Sequence, residues 1–353
     1  MSVPDLAGVI SADEVVASAE HLASLQQPSG KIPWWPGGHC DPWNHVESAM
    51  ALDVAGLHAE AEAAYEWLAD IQRPDGAWHN YYAADDSVED AKLDTNVCAY
   101  IATGVFHHWK CTSDRSFVDN LWPVVERALD WVLAQRRPDG LPLWAVECAD
   151  PGDGTTNADA AYVRTWDYAL LTGTCSIQHA LRAGAAVGCD TGSTRPDWVE
   201  AADTMCRLVE LRPDVFEPKT RWAMDWYYPA LTGALSHDTA KVRLADGWPV
   251  FAMEGRGIRC VSDEPWVTAS ETAEAALAYA AIGDLATATD LLRWTRAHRN
   301  ADGSYATGIV YPQHVTFPDQ EHSSYTAAAV ILAADAITQS SAGSALFVHP
   351  QHC

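Results

Sequence analysis

An all-α chain of six helix pairs is the fold class this sequence predicts, and three observations predict it. A short phrase recurs: LQQPSG ending at Gly30, IQRPDG at Gly76, QRRPDG at Gly140 and HRNADG at Gly303, with weaker copies LRPDV around Asp214 and LADGW at Asp246 and Gly247. Each full copy ends an amphipathic pattern, where Pro stops the helix in the first three and Gly supplies the left-handed residue beyond it in all four. The segment after each phrase is rich in Trp, Tyr, Pro, Asp and Gly, and it leads into a second pattern that is small or apolar on several sides, as expected of a helix buried all round.

Taken in chain order, the spacing predicts an outer helix over 12–26, closed by the first phrase, then an inner helix over 45–57 carrying Ser48 to Leu52. Outer 59–72 places Ala61, Ala64, Tyr65, Leu68 and Ile71 at spacings of three and four, and inner 93–109 carries Val97 to Ala102. Outer 116–136 repeats the pattern with Val124, Ala128, Trp131, Val132 and Gln135, before inner 165–187 and outer 196–211. Inner 226–237 and outer 238–246 precede the LADGW copy; inner 268–282, outer 284–298 and inner 322–338 complete the set. Six inner and six outer helices resemble an (α/α)6 toroid, one catalytic domain over 1–353 with a short irregular tail from about 340. The outer-to-inner connections are long, and long connections in a compact domain are usually functional. They open on the face where the inner helices begin, which is where a site is expected.

Composition excludes several partners. With Lys+Arg 22 against Asp+Glu 48 the formal charge is −26, which repels a phosphate backbone and an anionic membrane surface. No apolar run approaches the roughly 20 residues that span a bilayer, and the first residues, MSVPDLAGVISADEVV, lack the basic start and apolar core of a signal peptide. Nine scattered cysteines without a CxxC pair fit a reduced, cytoplasmic protein.

The Trp-rich loops carry the chemistry. Trp34, Trp35, His39, Trp43, His45 and Glu47 fall within KIPWWPGGHCDPWNHVESAMAL, and aromatic faces beside hydrogen-bonding acids suit a sugar, whose C–H face stacks while its hydroxyls need directional partners. Asn44-x-x-Glu47 is equally a capping box, a purely structural role. In GIRCVSDEPWVTASETAEAALAY, Thr268-x-x-Glu271 supplies a capping box of its own, which leaves Glu264, beside Pro265 and Trp266, as the acid without a structural task. Asp94, Asp159, Asp167, Asp225 and Glu321 stand at other inner-helix starts, where each can be an N-cap or dipole partner. Their convergence near Trp166, Trp222, Trp226, Tyr227, Tyr228, Trp248 and Trp266 favours glycoside cleavage, which needs one protonated acid and one carboxylate.

Rival motifs are incomplete. Asp85-Asp86-Ser87-Val88-Glu89 has the DDxxE form that chelates magnesium diphosphate in terpene synthases but reads as a solvated loop. Asp94 and Cys98 are too far apart for a prenyltransferase zinc pair, His107-His108 reads as packing or surface, and Asp150-Pro-Gly-Asp-Gly154 lacks calcium-loop spacing. No metal or cofactor is expected. An isoprenoid-handling toroid, either cyclase or prenyltransferase-like, is the alternative class, and a sugar-binding module without catalysis is a third.

The segments WWPGGHCDPWNHVESAMAL, LDTNVCAYIA and DEPWVTASETAEAALAY together resemble the mycobacterial α-endomannosidases that cleave 3-O-methylmannose polysaccharide. The resemblance implies a cytoplasmic, endo-acting hydrolase of α-(1→4)-linked mannan. It implies Glu47 and Glu264 as the acidic pair, with Asp94 and Asp225 as the other carboxylates in view. On local sequence, Glu264 is expected as general acid and Glu47 as general base of an inverting reaction. Trp34, Trp35, His39, Trp43, His45, Asp94, Asp225, Trp226 and Trp266 are expected to bind substrate.

Overall fold

The computed structural model describes residues 2–148 and 162–348. Asp150 to Gly154, Asp159 and Cys353 lie outside the described residues. The outer helices are α1 (Ala12–Leu25), α3 (His58–Ile71), α6 (Arg115–Ala134), α8 (Pro196–Leu211), α10 (His237–Phe251) and α12 (Leu285–Trp294). Between them run α2 (Pro42–Val54), α4 and α5 (Thr95–Ala99 and Ile101–Thr112), α7 (Leu171–Thr191), α9 (Ala223–Leu231), α11 (Ala269–Ala281) and α13 (Ser324–Thr338). Burial separates the two sets as their sequences require. Only Ala240, Leu244 and Phe251 of α10 are buried, whereas α13 is buried from Thr326 through Ile337 without interruption.

The inner helices contact one another in a closed order: α2 on α5, α4 and α5 on α7, α7 on α9, α9 on α11, α11 on α13, and α13 back on α2. The recurring phrase links the outer helices in the same sense. A Cβ on Gly30 would lie 2.0 Å from the Ala63 carbonyl of α3, one on Gly76 would lie 2.4 Å from the Arg127 carbonyl of α6, and one on Gly303 would lie 2.5 Å from the Ala17 carbonyl of α1. Each therefore needs glycine both for its positive φ and for this approach. Gln26 Nε2 donates to Gly30 O at 2.9 Å and Glu60 O at 2.8 Å, and Gln72 Nε2 donates to Gly76 O and Val124 O, both at 2.9 Å. The phrase is thus a clasp from one outer helix to the next.

The helix boundaries differ from expectation where a cap or a packing contact decides them. α2 starts at Pro42, earlier than expected, because Asp41 caps it by accepting from Asn44 N at 3.0 Å. The expected 93–109 helix breaks at Tyr100. The LADGW copy is not a turn at all: Gly247 lies inside α10, where a Cβ would lie 2.2 Å from the Trp226 ring, so that glycine admits the indole.

The all-α expectation also needs correction, because the long connections are partly strands. β1 (Tyr81–Tyr82) and β2 (Val88–Asp90) form a hairpin, and β3 (Lys92–Asp94), β4 (Ala145–Cys148) and β5 (Tyr162–Trp166) form an antiparallel sheet. β6 (Ala252–Met253), β7 (Gly257–Arg259), β8 (Trp266–Thr268), β9 (Gly308–Val310) and β10 (Val315–Thr316) form a second sheet in the order β10-β9-β8-β7-β6. Strands of two to five residues are too short to print a period-two pattern. Among the described residues no single helix is long and apolar enough to cross a membrane.

At the far end of α2 from Asp41, Asp53 is fully buried. Its carboxylate lies 2.9 Å from His58 Nδ1, 3.0 Å from His108 Nδ1 and 4.0 Å from His107 Nδ1. The His107-His108 pair is therefore packing, with an ion to hold.

Candidate active site

A cavity of about 420 Å³ opens where the inner helices begin. Its carboxyl groups come from α2 (Glu47, with Asp41 at its cap), α4 (Asp94 at the cap), α9 (Asp225) and α11 (Glu271 and Glu274). Aromatic walls are supplied by Trp34, Trp43, Tyr81, Trp144, Trp222 and Tyr325.

Two of these acids hold tryptophans in place. Asp41 accepts the backbone of α2 on Oδ1, and its Oδ2 accepts Trp34 Nε1 at 2.6 Å and Asn44 Nδ2 at 2.8 Å. Asp94 repeats the arrangement, taking Asn96 N at 3.1 Å and Val97 N at 3.4 Å on Oδ1 and the Trp144 indole N–H on Oδ2. Each cap thus uses one oxygen to start its helix and the other to fix a cavity wall. Burial raises both carboxyls above the usual range, Asp94 to about 6 against the opposing pull of Lys92 and Trp144.

Of the two readings its sequence allows, Glu47 takes the one at the cavity. Asp41 does the capping, so Glu47 sits in the second turn with no capping task and faces the cavity. Its Oε1 accepts Trp43 Nε1 and Tyr100 Oη, both at 3.2 Å. Burial pushes its pKa up to about 8, the two hydrogen bonds oppose this, and the charges of Asp41 and Glu271 add to it. Glu274 is raised well above the usual range, first by burial and then by the charge of Glu47, against a hydrogen bond from Tyr227. Burial and, after it, the charge of Glu47 on Glu274 both work against ionising the two carboxyls together.

Glu271 lines the same cavity. The expected Thr268 capping box is not formed, because Thr268 makes no side-chain bond to the helix backbone. Its hydroxyl donates instead to Glu271 Oε2, which Ser270 Oγ also reaches at 2.9 Å, while Cys260 Sγ donates to Oε1 at 3.3 Å.

Of the residues expected here, Glu47, Trp34, Trp43, Asp94 and Asp225 are brought together. Glu264 is not; it is exposed in the turn between β7 and β8, outside the cavity lining. Trp266 packs edge-on against Phe317 with its indole N–H on the Phe317 carbonyl, and Trp226 stacks on Phe251 with its own on the Arg243 carbonyl, so neither lines the cavity. His45 is buried between Ile32 N and Ala64 O, and burial lowers it to about 4. Trp35 and His39 stand behind Trp34, with ring centroids 5.9 and 4.6 Å from it. The Asp85 to Glu89 segment forms the turn and second strand of the β1–β2 hairpin, where buried Lys31 ion-pairs with Asp86 at 2.6 Å and donates to the Ala83 and Ala84 carbonyls. Cys98 bonds to the Trp78 backbone, away from Asp94.

Sequence reasoning passed over Trp144, Tyr81, Tyr325 and Glu274. Trp144 reaches Asp94 because β4 pairs with β3, a contact across some fifty residues that no local pattern reveals. Glu274 had a signal: one turn beyond Glu271 it is charged in an otherwise apolar buried helix.

No protein-family model matches the chain. A relative from Mycolicibacterium hassiacum, described as an MMP endo-(1,4)-3-O-methyl-α-D-mannosidase, is 42% identical over 346 residues, 98% of this chain and 92% of its own. A solved structure described as a wild-type glycosidase superposes with a TM-score of 0.70 at 16% identity, over 94% of this chain and all of that one. A D-mannose isomerase does so with a TM-score of 0.66 at 11% identity, over 96% and 100%. At such identities these two share the fold, and the fold alone hosts more than one chemistry.

Proposed function

Because the chain belongs to the family of the MMP endo-(1,4)-3-O-methyl-α-D-mannosidase, we propose that it is a glycoside hydrolase that cleaves α-(1→4)-linked, 3-O-methylated mannan at internal bonds. The closed order of inner helices inside clasped outer ones supports reading the fold as an (α/α)6 toroid, a single catalytic domain whose mouth is the cavity. The eight described cysteines are all free, which agrees with a cytoplasmic setting.

One observation carries the mechanism: Glu47 is buried against the cavity, which pushes its pKa up to about 8 and favours its protonated form near neutrality, and a second acid, Glu271, meets the same cavity from another helix. Glu47 is the general acid, the role expected of Glu264, and Glu271 is the base, the role expected of Glu47. As the glycosidic C–O bond breaks, Glu47 passes its proton to the leaving oxygen. Glu271 takes a proton from the water that bonds to the anomeric carbon. Burial first, and the charges around it second, favour the protonated form of Glu274, which then adds no second negative charge beside the acid. Glu47 on α2 and Glu271 on α11 are separated by α13 in the contact order, which favours the roughly 6.5–9.5 Å gap of an inverting enzyme over about 5–5.5 Å for a retaining one.

Incubation with methylated mannan tests the reading. Fragments of intermediate length should precede small products, and NMR of the fresh reducing end should show the β-anomer. Mannose as the sole initial product contradicts endo action; an initial α-anomer contradicts inversion.

A further inference from the structure

The cavity has two unlike halves. Glu47, Glu271, Glu274 and Tyr325 come from α2, α11 and α13, which are consecutive in the ring of contacts. The remaining arc, α4, α7 and α9, brings one apolar side chain at each helix start, Val97 on α4, Leu170 at the N-cap of α7 and Met224 on α9, beside the carboxyls of Asp94 and Asp225. Counting along the ring, α7 lies three steps from α13 in either direction, so this arc faces Glu47, Glu271 and Glu274 across the cavity. The arc is firmly set. A Cβ on Gly173 would lie 2.9 Å from Asn96 Oδ1, which shows how closely α7 approaches α4 there.

A bare mannan offers hydroxyls on every side, and a wall that buries a hydroxyl against Val, Leu and Met leaves it without a partner, a costly arrangement. A methyl ether has no proton to donate and gains from apolar contact. Polar groups stand between the apolar ones: Asn96 and Thr172 line the same arc, and Thr172 Oγ1 donates to Asp225 Oδ1 at 3.0 Å. The wall therefore alternates surfaces for methyl groups with partners for the remaining hydroxyls.

We propose that Val97, Leu170 and Met224 recognise the methyl ethers of an O-methylated mannan and set the preference for methylated over unmethylated chains. The proposal rests on the substrate reading above. It adds the residues that read the methyl group.

The test compares Val97→Thr and Met224→Gln, which keep side-chain size and introduce polarity, with the wild-type protein. Binding of 3-O-methylated and unmethylated α-(1→4)-mannotetraose is measured by calorimetry, and turnover of both is followed by product sizing. Reading the ratio within one preparation cancels any general loss of stability. Wild type should favour the methylated ligand, and each variant should reduce that preference about tenfold, the order expected for one methylene-sized group in an apolar pocket. A preference unchanged in both variants, or absent from wild type, overturns the assignment. If wild type prefers the methylated ligand in binding and cleaves neither, the hydrolase reading falls, while the binding ratios still decide this one.

Discussion

The hydroxyl of Tyr100 donates to Oε1 of Glu47 over 3.2 Å, from the residue at which α4 gives way to α5. The same tyrosine stacks on Trp43, the other donor to Glu47, with ring centroids 4.3 Å apart and planes 3° from parallel. The break in the inner helix thus delivers a rigid pair of donors to one carboxyl oxygen.

Both donors favour the ionised form of Glu47 and work against its burial. With the acid form required, kcat/KM should fall as pH rises through about 8. Tyr100→Phe removes one donor, so the alkaline limb should move to higher pH. A pH–rate profile of the two proteins checks the direction, and a shift to lower pH would remove Glu47 as the group titrating there.

Glu47→Gln should lower turnover of methylated mannan by about 10²–10⁴-fold while leaving oligosaccharide binding intact. A substrate with a good aryl leaving group needs less protonation and should be cleaved by this variant with much less loss. Glu271→Gln should be slow on both substrates, because the attacking water still needs a base. Comparing the two substrates on each variant separates acid from base.

Glu264→Gln should leave turnover and melting temperature within error of wild type, since the side chain is exposed and outside the cavity. A loss approaching that of Glu47→Gln would return Glu264 to the mechanism.

Stability should depend on pH in two opposite ways. The raised pKa of Glu47 means the folded protein holds its proton where the unfolded chain has lost it. Stability from this group therefore declines as pH climbs from the unfolded value of 4.5 toward 8, and Glu47→Gln should flatten that decline. Asp53 is the reverse case: burial opposes its charge, but His108 and His58 lower its pKa below 3.8, so its contribution is present above that value and lost as pH falls through the folded one. Asp53→Asn leaves the buried histidines without their anion and should cost about 3–5 kcal/mol in denaturant unfolding.

The helix pairs were legible in the sequence because their signal is local: the clasp phrase and the contrast between amphipathic and wholly apolar segments both lie within a few turns. Glu47 was legible for a local reason too, as an acid set among the tryptophans and histidines of the first long loop. Glu271 was passed over because Thr268-x-x-Glu271 has the spacing of a capping box, and spacing does not reveal that the threonine hydroxyl turns to the carboxylate and leaves the backbone alone. Trp226 and Trp266 stand beside expected site acids in the sequence, yet the first spends its ring on buried Phe251 and the second on Phe317 at the surface. The Trp144 wall depends on strand pairing, which only the folded chain displays.

The clasp at Gly303 grips α1, the helix with which the described fold begins. A linear array of repeats has end units that fray first and need polar caps. Here the last repeat is held by the first, so no unit is terminal and none can peel away alone. Unfolding must therefore open the whole ring at once, and a protein assembled from repeats should melt as one cooperative unit.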